Sequence, residues 1–122
     1  MFVSESDFGA DRVWRYDPGF AAANAALADR LGSLLAPLGI ARSSQAATAG
    51  ADLGVWARSG VAVVDLQQDG TRYFDLHHTP DDTLDKVDPV QLRQNVAAWT
   101  AMLSVVANAK EEIAATPVAA AR

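Results

Sequence analysis

The order of apolar and polar residues predicts an α/β domain. The strand predicted over residues 61–66 opens with the apolar run Val-Ala-Val-Val, which indicates burial on both faces inside a mostly parallel sheet flanked by helices. Two more strands are predicted at residues 2–5 and 12–16. In the second the alternation puts Trp14 and Tyr16 on one face and Val13 on the other, as in an exposed or edge strand. An inner strand needs neighbours on both sides, so we expect further strands, outside this sequence, to complete the sheet.

Two long helices are predicted from apolar residues at three- and four-residue steps. The first is predicted over residues 18–36, after an N-cap at Asp17 and a first-turn proline. The second is predicted over residues 89–113, after the same signal at Asp88. The stripes expected to be buried are Phe20, Ala23, Leu27, Leu31, Leu34 and Leu38 in the first helix, and Leu92, Val96, Trp99, Leu103, Val106 and Ile113 in the second.

The remaining segments are predicted to be connections. Residues 41–50 are small and polar, and Asp52 then caps a short helix that closes at Gly60. A loop of about twenty residues separates the apolar strand from the last helix. We expect the domain to span residues 1–113 and residues 114–122 to form a flexible tail.

Composition limits the class of protein. The chain has 122 residues, 50% of them hydrophobic, which suits one domain with a core. A net charge of −5 with only ten scattered Lys and Arg residues argues against nucleic acid as a partner. No apolar run approaches a membrane span and no signal peptide is visible, so we expect a soluble chain without a membrane partner. Cysteine is absent, so a metal would have to use histidine and carboxylate ligands.

Acidic residues are concentrated in one region. Seven of the fifteen lie between Asp65 and Asp88, where Arg72 and Lys86 are the basic residues. This excess would favour a cation as partner, whereas an acidic loop in contact with solvent is the simpler explanation from charge alone.

Both histidines of the chain, His77 and His78, lie in this acidic loop. Long loops within compact domains are often functional, and imidazole with carboxylate suits zinc. Adjacent side chains of an extended chain point to opposite sides, so we expect at most one of the two to be a ligand, with Asp82 holding its other nitrogen. Asp7 follows the first strand, where α/β sheets keep their ligands, and is a second candidate. A surface histidine and a turn-capping aspartate are the simpler alternatives.

Residues 70–89 (Gly-Thr-Arg-Tyr-Phe-Asp-Leu-His-His-Thr-Pro-Asp-Asp-Thr-Leu-Asp-Lys-Val-Asp-Pro) carry a resemblance to a known family. They are similar to the C-terminal signature of the co-catalytic zinc exopeptidases of the leucyl aminopeptidase and carboxypeptidase Q (plasma glutamate carboxypeptidase) family. The resemblance extends to residues 50–52, 60–62 and 5–9, and covers about residues 1–113.

The resemblance implies a set of roles. His78 and Asp7 correspond to ligands of the two zinc ions, whereas His77 does not. Asp52, Tyr73 and Asp82 are expected behind the ligands or beside the substrate. The remaining ligands and the glutamate that acts as general base are expected N-terminal to this chain, which therefore holds no catalytic residue of its own.

Two functions follow as hypotheses. The first is the C-terminal segment of a zinc-dependent exopeptidase that hydrolyses peptides or dipeptides and is inactive as an isolated chain. Its partners would be a peptide substrate and the N-terminal half of the domain, with homodimerisation left open, and the family implies a secreted or periplasmic location. The alternative is a non-catalytic remnant or interaction domain that keeps the signature without zinc chemistry.

Overall fold

A computed structural model describes residues 1–115, so most of the tail predicted at residues 114–122 lies outside the described residues. The strands are β1 (Phe2–Val3), β2 (Val13–Gly19), β3 (Ala41–Arg42) and β4 (Ala62–Gln68). The α-helices are α1 (Ala25–Leu35), α2 (Gly54–Arg58), α3 (Tyr73–Leu76) and α4 (Pro89–Ala107). Short 3-10 helices cover Ala22–Asn24, Ala36–Leu38 and Leu84–Lys86. Within these residues no helix is both long enough and apolar enough to cross a bilayer.

The four strands form one mixed sheet in the order β1-β4-β2-β3. β4 is an inner strand, parallel to β1 through Phe2↔Ala62 and Val3↔Val63, and antiparallel to β2. Six of its seven residues are buried. The predicted α/β class and the inner position of the apolar strand are therefore confirmed, as is the pairing of the first strand within the same sheet.

The predicted helix start at Asp17 and Pro18 was wrong, because both residues belong to β2. They pair with Asp65 and Val64 of β4, which overrides the local capping signal. Proline is tolerated in this strand because β3 pairs only with Arg15 and Tyr16, so the rest of β2 resembles an edge strand on that side. The regular helix, α1, begins seven residues later than predicted, at Ala25.

β2 is also not the edge strand that was predicted, since it lies between β4 and β3. Trp14 is 50% exposed whereas Tyr16 is fully buried, so the two do not share a face. The pairing with β4 shifts between Val13 and Arg15, which marks a β-bulge. A bulge inserts one extra residue and thereby puts Val13 and Tyr16, three positions apart, on the same buried side.

The core lies on the side of the sheet covered by α1 and α4. From α1 it takes Leu27, Leu31 and Leu35, whereas Leu34, predicted to be buried, is 43% exposed. The Tyr16 hydroxyl donates to the Ala28 carbonyl oxygen at 3.1 Å, which satisfies the one polar atom of this side chain. The pKa of Tyr16 is raised, chiefly because burial disfavours the phenolate.

The start of α4 is confirmed, but the predicted buried face was largely wrong. Asp88 caps the helix by accepting the Val90 N–H at 2.7 Å, and this bond lowers the pKa of the Asp88 carboxyl. The residues that face the sheet are Asn95, Ala98, Met102 and Val105. Of the predicted stripe, Trp99, Val106 and Ile113 are partly buried against the core, whereas Leu92, Val96 and Leu103 are 43–59% exposed. The helix is apolar on more than one side, so spacing alone does not identify the face that packs.

Asp52 does not cap α2, contrary to the prediction. The residue before this helix is Leu53, and Asp52 is exposed. Its backbone N–H donates to the Glu5 carboxylate at 3.2 Å. The predicted end of the short helix at Gly60 agrees with the structure, where this glycine has a positive φ of 84° directly after the helix.

Candidate functional site

The candidate residues lie where two parallel strands end. Asp7 follows β1, and the segment containing Tyr73, His77 and His78 follows β4. Because β1 and β4 are neighbours and parallel, their carboxyl ends lie at the same edge of the sheet. This topology brings together segments that are more than sixty residues apart in sequence.

Four rings form a continuous stack at this edge, which we call the ring stack. Phe8 stacks on Tyr73 with 4.3 Å between ring centroids, Tyr73 on His77 at 4.4 Å, and His77 on His78 at 3.7 Å. Tyr73 and His77 meet because they lie four residues apart around the single-turn helix α3. Phe74 packs edge-on against Tyr73 at 5.1 Å, although it is 78% exposed. The stack joins the segment after β1 to the segment after β4.

The two histidines occupy the central positions of a tight turn. The Thr79 N–H donates to the Leu76 carbonyl oxygen at 3.0 Å, His77 has φ −52° and ψ 123°, and His78 has φ 57°. These values describe a type II turn, in which the third residue is usually glycine. A left-handed conformation costs a non-glycine residue roughly 1 kcal/mol or more. Such strain is often found at functional sites, where the side chain is needed for another reason.

Two cavities flank Asp7. The larger, of about 310 Å³, is lined by Asp7, Glu5, Thr48, Gly50 and Ala51 together with Phe8 and Tyr73 of the ring stack. The smaller, of about 260 Å³, is lined by Asp7, Tyr73, Leu76, His77 and Asp82. Asp7 and Tyr73 therefore belong to both cavities.

The structure brings some of the predicted site residues together and separates others. Asp7, Tyr73, His77 and Asp82 line one cavity, whereas exposed His78 stacks on the other side of His77. Asp52 takes part through its backbone, whose N–H donates to the Glu5 carboxylate at 3.2 Å. Among residues 1–115 no hydrogen bond joins Asp82 to either imidazole.

The donor types of this site fit zinc, but the described residues do not complete a zinc site. Asp7 and the imidazoles of the turn are the kinds of ligand that zinc takes, and catalytic zinc sites normally use three protein ligands. No group of three or more such side chains able to hold a metal occurs between residues 1 and 115.

An ion pair anchors the segment that carries the ring stack. The Arg72 guanidinium contacts both carboxylate oxygens of Asp11, with 3.1 Å between Nε and Oδ2. Bonding to this carboxylate raises the pKa of Arg72. Directly before it, the Thr71 hydroxyl and N–H donate to the Asp69 carboxylate, which lowers the pKa of Asp69. The Asp69 N–H in turn donates to the Arg12 carbonyl oxygen, so the segment is fixed at two points to Asp11 and Arg12, directly before β2.

Sequence reasoning overlooked two parts of this site. Phe8 was included only within the matched range 5–9 and given no role, although an aromatic residue next to a candidate ligand is a usable signal. The other omission is the pair Glu5 and Asp65, whose carboxylates bind backbone N–H groups of residues 48–52. No sequence spacing indicates this pairing, because it joins three segments that meet only in the folded chain.

Known proteins resemble this chain in both sequence and structure. Carboxypeptidase Q of Rattus norvegicus is 37% identical over 79 residues, which is 65% of this chain and 16% of the relative. Carboxypeptidase Q of Homo sapiens is 34% identical over 86 residues, which is 70% of this chain and 18% of the relative. The crystal structure of a peptidase M28 precursor from Shewanella amazonensis SB2B matches 97% of this chain at 39% identity with a TM-score of 0.88. This match covers 27% of the Shewanella chain. No protein-family model matches the sequence.

The curated relatives and the solved structure agree with each other. This chain spans 16–18% of the length of the two curated relatives described above, and the fold similarity covers nearly all of its own length. The resemblance to the zinc exopeptidase family is thereby confirmed as a relation: the chain is related to carboxypeptidase Q and to peptidase M28.

Proposed function

We propose that this chain is the C-terminal segment of a zinc-dependent exopeptidase that hydrolyses peptides or dipeptides in the manner of an aminopeptidase or dipeptidase. The observation that carries the proposal is the convergence of Asp7 and the His77–His78 turn at the carboxyl ends of two neighbouring parallel strands. The same two positions correspond to zinc ligands by family resemblance. The left-handed conformation of His78 supports a functional reason for a histidine at that point of the turn.

In this proposal the chain supplies part of a metal centre. Asp7 and His78 are the proposed ligands, and Tyr73, Asp82 and Asp52 are the proposed neighbours of the ligands or of the substrate. Zinc bound in such a site would lower the pKa of a coordinated water and polarise the peptide carbonyl. The other ligands and the general base would come from polypeptide outside these residues. The isolated chain is accordingly proposed to bind zinc weakly and to be inactive.

The surface that meets the rest of the domain is proposed to be the exposed side of α4. Leu92, Val96, Trp99 and Leu103 line an apolar groove of about 460 Å³ beside Gly9 and Ala10. The Trp99 indole N–H is buried, and no acceptor for it occurs among the described residues. The Shewanella chain has 73% of its length outside the match, and we propose that polypeptide of this kind covers the groove and the side of β1 that pairs with no strand among residues 1–115. Family resemblance also leads us to propose a secreted or periplasmic location. Homodimerisation is not part of this proposal.

The alternative is a non-catalytic remnant or interaction domain that keeps the signature. It shares one observation with the first function, because both are compatible with the absence of a group of three metal-binding side chains among residues 1–115. The two functions differ in whether this segment supports catalysis when the rest of a peptidase domain is supplied.

A chimeric peptidase distinguishes the two functions. In this chimera the 122 residues replace the matching segment of the Shewanella peptidase, and the parent peptidase is the control. We expect the chimera, but not the isolated chain, to hydrolyse an aminoacyl-anilide and a panel of dipeptides, and chelator to abolish this turnover. Steady-state hydrolysis, with and without chelator, measures the turnover of the chimera and of the isolated chain and its dependence on metal. Chelator-sensitive turnover by the 122-residue chain alone would show that its ligand set is larger than proposed, and a folded but inactive chimera would favour the alternative.

A further inference from the structure

The loop at residues 48–52 has a backbone conformation that needs support. Ala49 and Gly50 have successive positive φ values of 68° and 65°. Glycine adopts this region freely, but alanine does so at a cost of roughly 1 kcal/mol or more. Ala49 is nevertheless fully buried, so the loop is packed against the sheet in this conformation.

Two carboxylates hold the backbone of this loop. Asp65 accepts the Thr48 N–H at 2.6 Å and the Ala49 N–H at 3.1 Å. Glu5 accepts the Ala51 N–H at 2.8 Å through Oε1, and the next N–H along the chain, that of Asp52, at 3.2 Å through Oε2. Four of the five residues of the loop therefore donate to an acid. Hydrogen bonds to a charged acceptor are stronger than those between neutral groups.

The two acids occupy equivalent positions on neighbouring strands. Each lies two residues beyond the Val3↔Val63 pair, Glu5 after β1 and Asp65 within β4. Side chains two residues apart on a strand point to the same side, so both carboxylates reach the loop on the same face of the sheet. The loop is thus held across the two strands whose carboxyl ends carry Asp7 and the ring stack.

The position of Asp65 is costly, which argues against an incidental turn cap. Asp65 is 7% exposed and lies directly opposite Asp17 of β2, which is 2% exposed. Like charges directly opposite each other destabilise a sheet. The Asp17 carboxylate accepts a hydrogen bond from the Gln67 side-chain amide at 3.1 Å and forms an ion pair with Arg15. The Asp65 carboxylate is instead stabilised by the N–H groups of the loop.

The inner side of this loop is a wall of the candidate site. Thr48, Gly50 and Ala51 line the larger cavity together with Asp7 and Tyr73. A Cβ atom added to Gly50 would lie 1.6 Å from Oε1 of Glu5, so the glycine lets the carboxylate approach the backbone. Loop and carboxylate therefore fit closely at the point where they border the cavity.

We propose that Glu5 and Asp65 are positioning residues that fix the 48–52 loop as a preformed wall of the cavity beside Asp7, and thereby set which substrate side chains the site accepts. The substrate part rests on the proposed function. Both acids also border the larger cavity, but their proposed action is on the loop rather than on the reacting atoms. Loss of either acid frees its own half of the loop and leaves the other half held.

Amide hydrogen exchange on the 122-residue chain tests the holding role. In Glu5→Gln the side chain keeps one accepting oxygen, but the second is replaced by an NH2 group and the negative charge is lost. The hydrogen bonds to Ala51 and Asp52 can then no longer both form, and the one that remains is weaker, so we expect exchange at these two amides to accelerate about tenfold or more. Exchange at Thr48 and Ala49 should stay within about threefold of the parent chain, and Asp65→Asn should give the reverse pattern.

Two further variants keep this test decisive. Gly50→Ala displaces Glu5 sterically, so it should reproduce the Glu5→Gln pattern even if Asp65→Asn does not fold. Glu112→Gln, an exposed glutamate near the end of the described chain, is the matched control and should change none of these amides. Unchanged exchange at Ala51 and Asp52 in both Glu5→Gln and Gly50→Ala would overturn the proposal.

The substrate role is tested with Glu5→Gln in the chimera. We expect KM for dipeptides with bulky side chains to rise about tenfold, with kcat within about threefold, because a preformed wall contributes binding before the chemical step. A fall in kcat with KM unchanged would contradict a positioning role. Absence of turnover in the unsubstituted chimera would overturn the proposed function and the substrate part with it, whereas the exchange result would still decide whether the acids hold the loop.

Discussion

Replacing His78 with glycine is expected to lower the zinc-dependent turnover of the chimera by at least about a hundredfold. The proposed role of His78 is to hold a zinc ion, and losing a group that stabilises charge in the transition state typically costs about 10²–10³ in kcat. The measurement is kcat on the most active dipeptide of the panel at saturating zinc. Zinc content after dialysis should fall in parallel.

The same substitution is expected to leave folding stability within about 1 kcal/mol of the unsubstituted chain. His78 occupies the third position of a type II turn with φ 57°, where glycine is unstrained. Relief of roughly 1 kcal/mol of strain is offset by the greater flexibility of glycine in the unfolded chain, which costs about 0.5–1 kcal/mol. Urea unfolding of the 122-residue chain measures this difference. Lost activity with retained stability would separate a functional role from a structural one.

His77→Ala is the matched control for this prediction. It removes the ring between Tyr73 and His78 but leaves the turn conformation at His78 unchanged, so we expect a smaller loss of turnover than for His78→Gly. His77, however, is the imidazole that lines the cavity with Asp7. If His77→Ala abolishes turnover while His78→Gly retains it, the ligand assignment moves to His77.

Replacing Met102 with alanine is expected to destabilise the 122-residue chain by about 2–5 kcal/mol. Met102 is fully buried on the face of α4 that packs against the sheet and α1. Truncating such a side chain removes its transfer free energy and leaves a cavity that the core fills only in part. A loss of this size is a large fraction of the stability of a small domain. Equilibrium urea unfolding measures it.

Leu103→Ala on the neighbouring position is the control. This side chain is 50% exposed in the groove on the other side of α4, so its truncation should change the free energy of unfolding of the chain by less than about 1 kcal/mol. Both substitutions give alanine, so the difference between them reports the face of the helix that packs. Equal losses would mean that the groove is covered in solution, for example by self-association.

Local signals in the sequence determined a large part of this fold. The uninterrupted apolar run at residues 61–64 identified the inner strand, because a strand with one face in water would alternate apolar with polar residues. The Asp88-Pro89 signal located the start of α4, because the capping bond closes within two residues. Asp7 and the two histidines were correctly placed after strands, because the strands themselves could be located from local pattern. The signature at residues 70–89 indicated the family.

Tertiary structure decided the features that depend on a distant partner. Asp17-Pro18 carries the same signal as Asp88-Pro89 but lies in a strand, because pairing with β4 supplies more hydrogen bonds and burial than a helical turn would. The packed face of α4 was ambiguous in a helix that is apolar on more than one side, and contact with α1 and the sheet selected Met102 over Leu103. The 48–52 loop depends on acids from two other segments, so no local pattern could reveal that it is held. Where several conformations are locally allowed, contacts with distant parts of the chain determine which one forms.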